Sequence, residues 1–102
     1  MHANPSQRQL RAIGHKLRPV LTVAGKGLSD SLMLELNRAL DDHELIKVKL
    51  AVGERATRDT VLAELLENAN ASLVQRVGNV ALILRRSAQP DVRKSNLIRF
   101  LA

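Results

Sequence analysis

The sequence predicts an α+β fold with a four-stranded mixed sheet, and three observations lead to this prediction. The chain of 102 residues, 45% of them hydrophobic, is long enough for one domain around a modest core. Two segments of helical periodicity each lie between strand-like segments, which is the pattern of crossovers between parallel strands. The last two strands are joined by two turn residues, which makes them an antiparallel hairpin.

The first half of the chain predicts a helix, a strand and a second helix. The first helix spans residues 6–16, with Ser6 as its N-cap and apolar residues at helical spacing. The segment Val20–Val23 is rich in β-branched residues and predicts a short strand. Ser29 or Asp30 then caps the second helix. The apolar stripe of this helix rises in steps of four residues through Leu28, Leu32, Leu36 and Leu40.

The second half predicts a strand, a helix and two strands, over residues 45–50, 54–70, 73–77 and 80–85. In the first of these strands Lys47 and Lys49 alternate with aliphatic residues, so the lysines lie on the opposite face. Gly78 and Asn79 form the turn of the final hairpin. The order is αβαβαββ, and right-handed crossovers place both crossover helices on one side of the sheet. The predicted architecture is a two-layer α/β sandwich.

Residues 88–102 are predicted to form a basic C-terminal tail outside a domain of residues 1–87. Pro90 and a run of polar and charged side chains indicate that this tail is loosely held. A short helix that docks on the domain stays an alternative for the last apolar residues of the tail, which are Leu97, Ile98, Phe100 and Leu101.

Charge is distributed unevenly along the chain. Sixteen Lys and Arg against ten Asp and Glu give a net charge of +6, the balance expected for a partner that carries phosphates. Residues 1–29 contain no carboxylate, whereas residues 30–44 and 54–70 hold most of the acids. This segregation predicts a basic surface from the N-terminal region, the 24–28 loop and the C-terminal region, with two acidic helices turned away. Merely solvated helix faces are the alternative.

Composition argues against several classes of function. The chain has no cysteine, so disulfides and thiolate zinc sites are excluded and a reducing, cytoplasmic location is expected. Phe100 is the only aromatic residue, which disfavours recognition of bases by stacking on aromatic side chains. The apolar runs are too short to predict a signal peptide or a membrane span.

Catalytic and metal-binding patterns are also weak. His2 and His15 have no acidic neighbours, and the acids beside His43 point away from it because adjacent residues on a helix diverge. We expect His43 to face solvent or to favour the C-terminus of its helix when protonated. The sequence contains neither a G-x-S-x-G nucleophile elbow nor a P-loop. We therefore expect no enzyme activity, no metal and no cofactor.

The loop Ala24–Gly27 is a candidate binding element. Gly25 and Gly27 lack Cβ atoms and let the backbone approach a phosphodiester closely, while Lys26 adds a mobile positive charge. Asp30, in the first turn of the next helix, already satisfies the helix dipole. We therefore expect contact through the loop amides and Lys26 rather than through the helix N-terminus. A plain turn is the alternative interpretation.

Several segments together resemble a known family. The first two are the end of the basic first helix, Leu17–Val20, and the stretch from strand to loop, Val23–Ser29. The other two are the strand with two lysines, His43–Lys49, and the closing strand, Gly78–Arg85. In size and order the chain is similar to the CRM domain, and among its members to stand-alone bacterial YhbY-type proteins. The resemblance implies a fold like the C-terminal domain of bacterial translation initiation factor 3, with a G-x-x-G-type loop comparable to that of KH domains. It also implies binding to structured RNA, in bacterial members to precursors of the large ribosomal subunit.

The expected function is that of an RNA-binding accessory protein for large-subunit assembly, a monomer acting on pre-ribosomal particles and not on membranes. The residues expected to contact RNA are Gly25, Lys26, Gly27, Arg8, Arg11, Lys16, Arg18, Lys47, Lys49 and Arg76. Of these, Lys47, Lys49 and Arg76 would add charge on an open sheet face; a solvated strand face explains the lysines equally well.

Two departures from the family pattern affect these expectations. The family's first loop glycine falls on Ala24, which would be strained if that position needs a positive φ. A tyrosine common in the last strand falls on Leu84, which removes an aromatic contact.

Two other classes of function stay open at this point. An adaptor on the ribosome or nucleoid would bind a protein through the acidic helices or the leucine-rich tail. A binder of duplex DNA would show equal affinity for DNA and RNA hairpins of one shape, whereas contacts to 2′-hydroxyl groups predict a preference for RNA.

Overall fold

The computed structural model describes residues 4–25 and 27–101. The helices are α1 (Gln7–Gly14), α2 (Asp30–His43), α3 (Arg55–Ala69) and α4 (Asn96–Leu101). The strands are β1 (Pro19–Ala24), β2 (Leu45–Ala51), β3 (Ser72–Val77) and β4 (Val80–Leu84). The predicted α+β class and the order αβαβαββ are confirmed, with α4 added at the end.

The four strands form one mixed sheet in the order β1-β2-β4-β3. β1 runs parallel to β2, while β4 runs antiparallel to both β2 and β3. The connection from β2 through α3 therefore leads to β3, which is not adjacent to β2, because β4 lies between the two strands. The hairpin of β3 and β4 turns at Gly78 and Asn79 as predicted, with Val77 opposite Val80.

Local side-chain signals set the helix ends. The Ser6 Oγ accepts a hydrogen bond from the Gln9 amide at 3.1 Å, and the Gln9 side chain accepts one from the Ser6 amide at 2.8 Å. The Ser29 Oγ accepts from the Leu32 amide at 3.1 Å, so Ser29 rather than Asp30 is the N-cap of α2. α3 ends at Asn70, which adopts the left-handed conformation that closes many helices.

The main core lies between the sheet and the two crossover helices. Both α2 and α3 pack on this face, as predicted. Its residues without exposed surface are Val23, Leu36, Leu40, Ile46, Val48, Leu50, Leu65, Ala81 and Ile83. The alternation in β2 therefore places its aliphatic residues as the sequence predicts.

A second, smaller core covers part of the opposite sheet face. α1 and α4 pack against each other and against β2 there. The buried residues are Leu10, Ile13, Leu45, Leu82 and Leu97, with Leu84 and Phe100 packed against them. The sheet face that the sequence predicts to be open is thus partly covered, because the apolar stripes of α1 and α4 pack on it. Only the half near the 24–28 loop stays exposed.

The C-terminal segment is docked, contrary to the prediction that it is loosely held. Ser95 and Leu97 are 0% and 3% exposed, and the Asn96 side chain donates to the Leu45 carbonyl at 2.7 Å. The His43 Nδ1 lies 2.9 Å from the Lys94 carbonyl oxygen, so His43 contacts this segment. The short docked helix, left open by the sequence, is the conformation that forms. The domain boundary at residue 87 stays a prediction.

Glu44 anchors this segment to the domain. Its side chain is 1% exposed and its backbone has a φ of 61°. The carboxylate accepts hydrogen bonds from the Ser87 amide at 2.6 Å and from the Ser95 hydroxyl at 2.8 Å. The Arg86 Nε lies 3.4 Å from it and supplies the opposite charge. The buried charge is thus paired and hydrogen-bonded, as burial requires.

We expect Glu44→Ala to lower the free energy of unfolding by about 3 kcal/mol, because it leaves buried donors of the C-terminal segment without an acceptor. The measurement is urea denaturation followed by circular dichroism. Glu35→Ala, at an exposed position of α2, is the matched control and is expected to change stability by less than about 0.5 kcal/mol. Equal stability of the two variants would contradict this account of Glu44.

Candidate nucleic-acid interface

The loop after β1 is a tight turn with two glycines in conformations that favour glycine. The Gly27 amide donates to the Ala24 carbonyl at 3.1 Å. Gly25 has a φ of +51° and Gly27 a φ of +76°, which L side chains rarely adopt. A Cβ built on either glycine meets no atom of the described residues within 4 Å, so the loop backbone is open. Lys26, the predicted charged residue of the loop, lies outside the described residues.

Ala24 fits its position without strain. It is the last residue of β1, pairs with Ala51 of β2, and is not among the described residues with a positive φ. The positive φ values fall on Gly25 and Gly27 instead. The departure from the family's first glycine therefore does not strain the described backbone.

Lys49 and Lys47 extend from this loop along the open half of the sheet. Lys49 pairs with Thr22 and Val80, and Lys47 with Leu82. Because strands rise about 3.3 Å per residue and alternate residues share a face, the lysines lie roughly 7 and 13 Å from the loop along the sheet. Lys49 is exposed and Lys47 half-buried. Both face the side that α2 and α3 leave free.

A groove of about 270 Å³ lies on this face, where α1 ends. Its polar lining includes His15, Lys47 and Gln75, and its aliphatic lining includes Val77, Val80 and Leu82. His15 was not predicted to belong to the interface. The sequence did carry a signal for it, because Arg8, Arg11 and His15 recur at i, i+3 and i+7 along α1.

The cations of the first helix divide into two groups. Arg8 and Arg11 lie on α1 away from its buried Leu10, and Arg18 is exposed just before β1. Lys16 instead lies over the Phe100 ring, with its Nζ 5.5 Å from the ring centroid. The Lys16 ammonium is therefore positioned by α4 rather than by α1 alone.

Arg76 lies on the other side of the sheet from the two lysines. It pairs with Ala81, which belongs to the main core, whereas Lys47 pairs with Leu82 of the second core. Its guanidinium forms an ion pair with Asp59 of α3. The prediction that Arg76 shares the open face is wrong. An irregularity in the pairing of β3 between Leu73 and Gln75 shifts the alternation that the sequence suggests.

Ion pairs separate the cations further. Four ion pairs occur among the described residues: Arg76–Asp59, Arg85–Asp41, Arg86–Glu44 and Lys94–Asp42. None of them includes a predicted contact residue other than Arg76. Arg85 also donates to the Asn37 side chain and the Ala69 carbonyl, so it holds α2 and α3 together. Arg85 and Arg86 therefore serve the fold, whereas Lys47, Lys49 and the cations of α1 make no ion pair within the described part of the chain.

The arginines of α3 form a feature that the sequence analysis did not single out. Arg55 and Arg58 lie at the N-terminal end of α3. They line a second surface depression together with Arg76, Gly78 and Asn79. Sequence reasoning missed this cluster because its members come from two segments about twenty residues apart that only the packing of α3 on β3 brings together.

Two further findings concern metal sites and membrane-spanning helices among the described residues. Within 4–25 and 27–101, no three His, Asp or Glu side chains come together as a metal site. No helix in the same ranges is both long and apolar enough to cross a bilayer.

Comparison with known proteins identifies the family of this chain. The sequence model of the CRS1/YhbY (CRM) domain matches residues 4–85. The chain belongs to this family. One relative is the "Probable RNA-binding protein PA4753" of Pseudomonas aeruginosa. It is 48% identical to this chain over 94 residues, which are 92% of this chain and 90% of the relative. An "RNA-binding protein" of Haemophilus influenzae is 32% identical over 84 residues, covering 82% and 85%.

The fold has also been seen in a solved structure. The solution structure of the hypothetical protein SAV1595 from Staphylococcus aureus matches this CRM domain with a TM-score of 0.70 and 25% sequence identity. The match covers 81% of this chain and 86% of that one. Helix α4 lies beyond the residues that the family model matches.

We expect the carboxyl of Asp59 to titrate below its ordinary pKa of 3.8, because of the hydrogen bond from Arg76 and the charges of Arg76, Arg55 and Arg58. Since the folded-state pKa is depressed, the stabilisation is present above the unfolded-state pKa and is lost as the pH falls through the folded-state pKa. Carboxyl ¹³C chemical shifts followed by NMR measure the midpoint. Arg76→Gln should raise it, and a wild-type midpoint at or above 3.8 would refute the ion pair in solution.

Proposed function

We propose that this protein binds structured RNA through the 24–28 loop and the open half of its sheet, and that it acts in assembly of the large ribosomal subunit. The observation that carries the proposal is the open backbone at Gly25 and Gly27, near Lys47 and Lys49 of β2, which form no ion pair among the described residues. A backbone without side chains, bordered by positive charge, suits close contact with phosphate oxygens.

The geometry suggests how an RNA strand would lie. One phosphate contacts the loop amides and Lys26, and the strand continues past Lys49 and Lys47 along the sheet. Arg8 and Arg11 meet phosphates beyond the groove. The Val77 side chain, which lines the groove and is 65% exposed, offers apolar surface to bases that face the sheet.

The type of recognition follows from composition. Lys16 and Arg99 both lie over the Phe100 ring, so the described residues offer no free aromatic platform on which bases could stack. Shape and charge are then the means of recognition, which suits folded RNA better than a single-stranded sequence motif. The relatives named as RNA-binding proteins support this class of partner.

Affinity for an RNA hairpin should depend steeply on salt. If about four phosphates are neutralised, log K should fall with log salt with a slope near −3, and Lys26→Ala or Lys47→Ala should each lower its magnitude by roughly 0.7. Fluorescence anisotropy at several KCl concentrations measures the slope. Arg38→Ala, which removes an exposed charge from α2 on the opposite side, is the control and should leave it unchanged. Affinity independent of salt would contradict RNA binding by this surface, and equal affinity for a DNA hairpin of the same shape would instead favour a binder of duplex DNA.

The ribosomal part of the proposal needs a test in cells. We expect RNA cross-linked to the protein in its own organism, recovered and sequenced, to be enriched in precursors of large-subunit ribosomal RNA. A variant with Lys47→Ala and Lys49→Ala should lose that enrichment while keeping its abundance. Recovery of messenger or transfer RNA alone would leave RNA binding in place and reject the role in subunit assembly.

A further inference from the structure

The arginine cluster at the β3–β4 turn, formed by Arg55, Arg58 and Arg76, is a feature that the proposed function does not use. Together with Gly78 and Asn79 it lines a surface depression of about 670 Å³. Arg55 is exposed and makes no ion pair with another described residue, and Arg58 is half-buried. Three guanidinium groups around one depression form a strongly cationic spot on a small protein.

Backbone contacts hold the cluster in place. The Arg58 Nη1 donates to the Gly53 carbonyl at 3.2 Å, and the Arg76 Nε donates to the Gly78 carbonyl at 3.3 Å. The turn itself is tied to the sheet, because the Leu50 amide donates to the Asn79 carbonyl at 2.6 Å. The guanidinium groups are thus partly oriented before any partner arrives, which lowers the entropic cost of binding.

The cluster has more positive charge than the nearby acids neutralise. The nearby acids on α3 and at its start are Asp59 and Glu54, and only Asp59 forms an ion pair within the described part of the chain. The hydrogen bond from Arg76 and the charges of Arg76, Arg55 and Arg58 lower the pKa of the nearby Asp59 carboxyl. The Arg58 Nε is buried and makes no hydrogen bond to any described residue.

The arginine cluster lies at the same end of the sheet as the 24–28 loop. Ala24 pairs with Ala51 at the end of β2, and the hairpin turn lies beside the same end of β2. With strands about 4.8 Å apart, the outer strands β1 and β3 are roughly 14 Å from each other across that end. The loop and the cluster therefore flank one end of the sheet, at a distance that two phosphates of one folded RNA can span.

We propose that Arg55, Arg58 and Arg76 form a second phosphate site, which takes a backbone phosphate of the same RNA that contacts the 24–28 loop. This inference rests on the proposed function. The guanidinium group matches phosphate oxygens in pairs of hydrogen bonds, which a lysine cluster would not do. Asp59 occupies Arg76 in the free protein and competes with the phosphate for it.

The test compares two variants that should change affinity in opposite directions. Arg55→Ala combined with Arg58→Ala should weaken binding of a fluorescein-labelled RNA hairpin roughly three- to tenfold and lower the magnitude of the salt slope by at least about 0.7. Asp59→Asn should strengthen binding roughly twofold, because it frees Arg76 and removes a negative charge. Arg38→Ala on α2 removes one charge elsewhere and should do neither.

An independent readout uses the wild-type protein. On addition of the hairpin, the backbone amides of Gly78 and Asn79 should shift in ¹H–¹⁵N spectra together with those of Gly25 and Gly27. Thermal unfolding checks that the double variant folds; if it does not, Asp59→Asn and the amide shifts decide the question.

The outcomes separate the two proposals. If the wild-type protein binds the hairpin, but the double variant binds equally well and the Gly78 and Asn79 amides do not move, the second site is wrong and the proposed function stands. If the wild-type protein does not bind the hairpin, both fall. Weaker binding by Asp59→Asn would also overturn the second site, since it would make the carboxylate part of the contact rather than a competitor.

Discussion

The two-residue period of β2 is the constraint on which the rest of the structure depends. Ile46, Val48 and Leu50 must face the crossover helices to complete the main core, and this requirement fixes Lys47 and Lys49 on the opposite face. A slip of one residue would bury both lysines and expose three aliphatic side chains. The cost of burying unpaired charges therefore holds the register of the strand and, with it, the placement of the candidate interface.

The opposite face of the sheet is divided into a covered half and an exposed half. One half is covered by α1 and α4, which bury Leu45, Leu82 and Leu97. The other half adjoins the glycine loop and carries Lys47 and Lys49, which make no ion pair with another described residue. Ion pairs reinforce this division, because acids on α2 and at its end neutralise Arg85, Arg86 and Lys94, which lie in the C-terminal third of the chain. Among the described residues, the cations that make no ion pair include those of α1, of β2 and of the start of α3.

Local patterns in the sequence predicted most of the fold. The Ser6 and Ser29 caps, the alternation around Lys47 and the turn at Gly78 are short-range signals, and each appears in the structure. The placement of Arg76 was predicted wrongly because the irregularity in β3 moves it to the other face. The arginine cluster and the docking of α4 depend on contacts between distant segments, which no local pattern contains. The roles assigned to Arg8, Arg11, Lys16, Arg18 and the loop stay predictions for experiment.

The buried carboxylate of Glu44 has a consequence for where the protein can be cut. The family match ends at residue 85, yet Ser87 and Ser95, the two hydrogen-bond donors to that carboxylate, lie beyond this point. A fragment trimmed to the matched residues would keep every strand. It would, however, expose to water the Glu44 carboxylate, which is buried in the longer chain, and it would uncover Leu45. The residues matched by the family model thus end before the residues that pack on the domain, and the longer piece is the one to express.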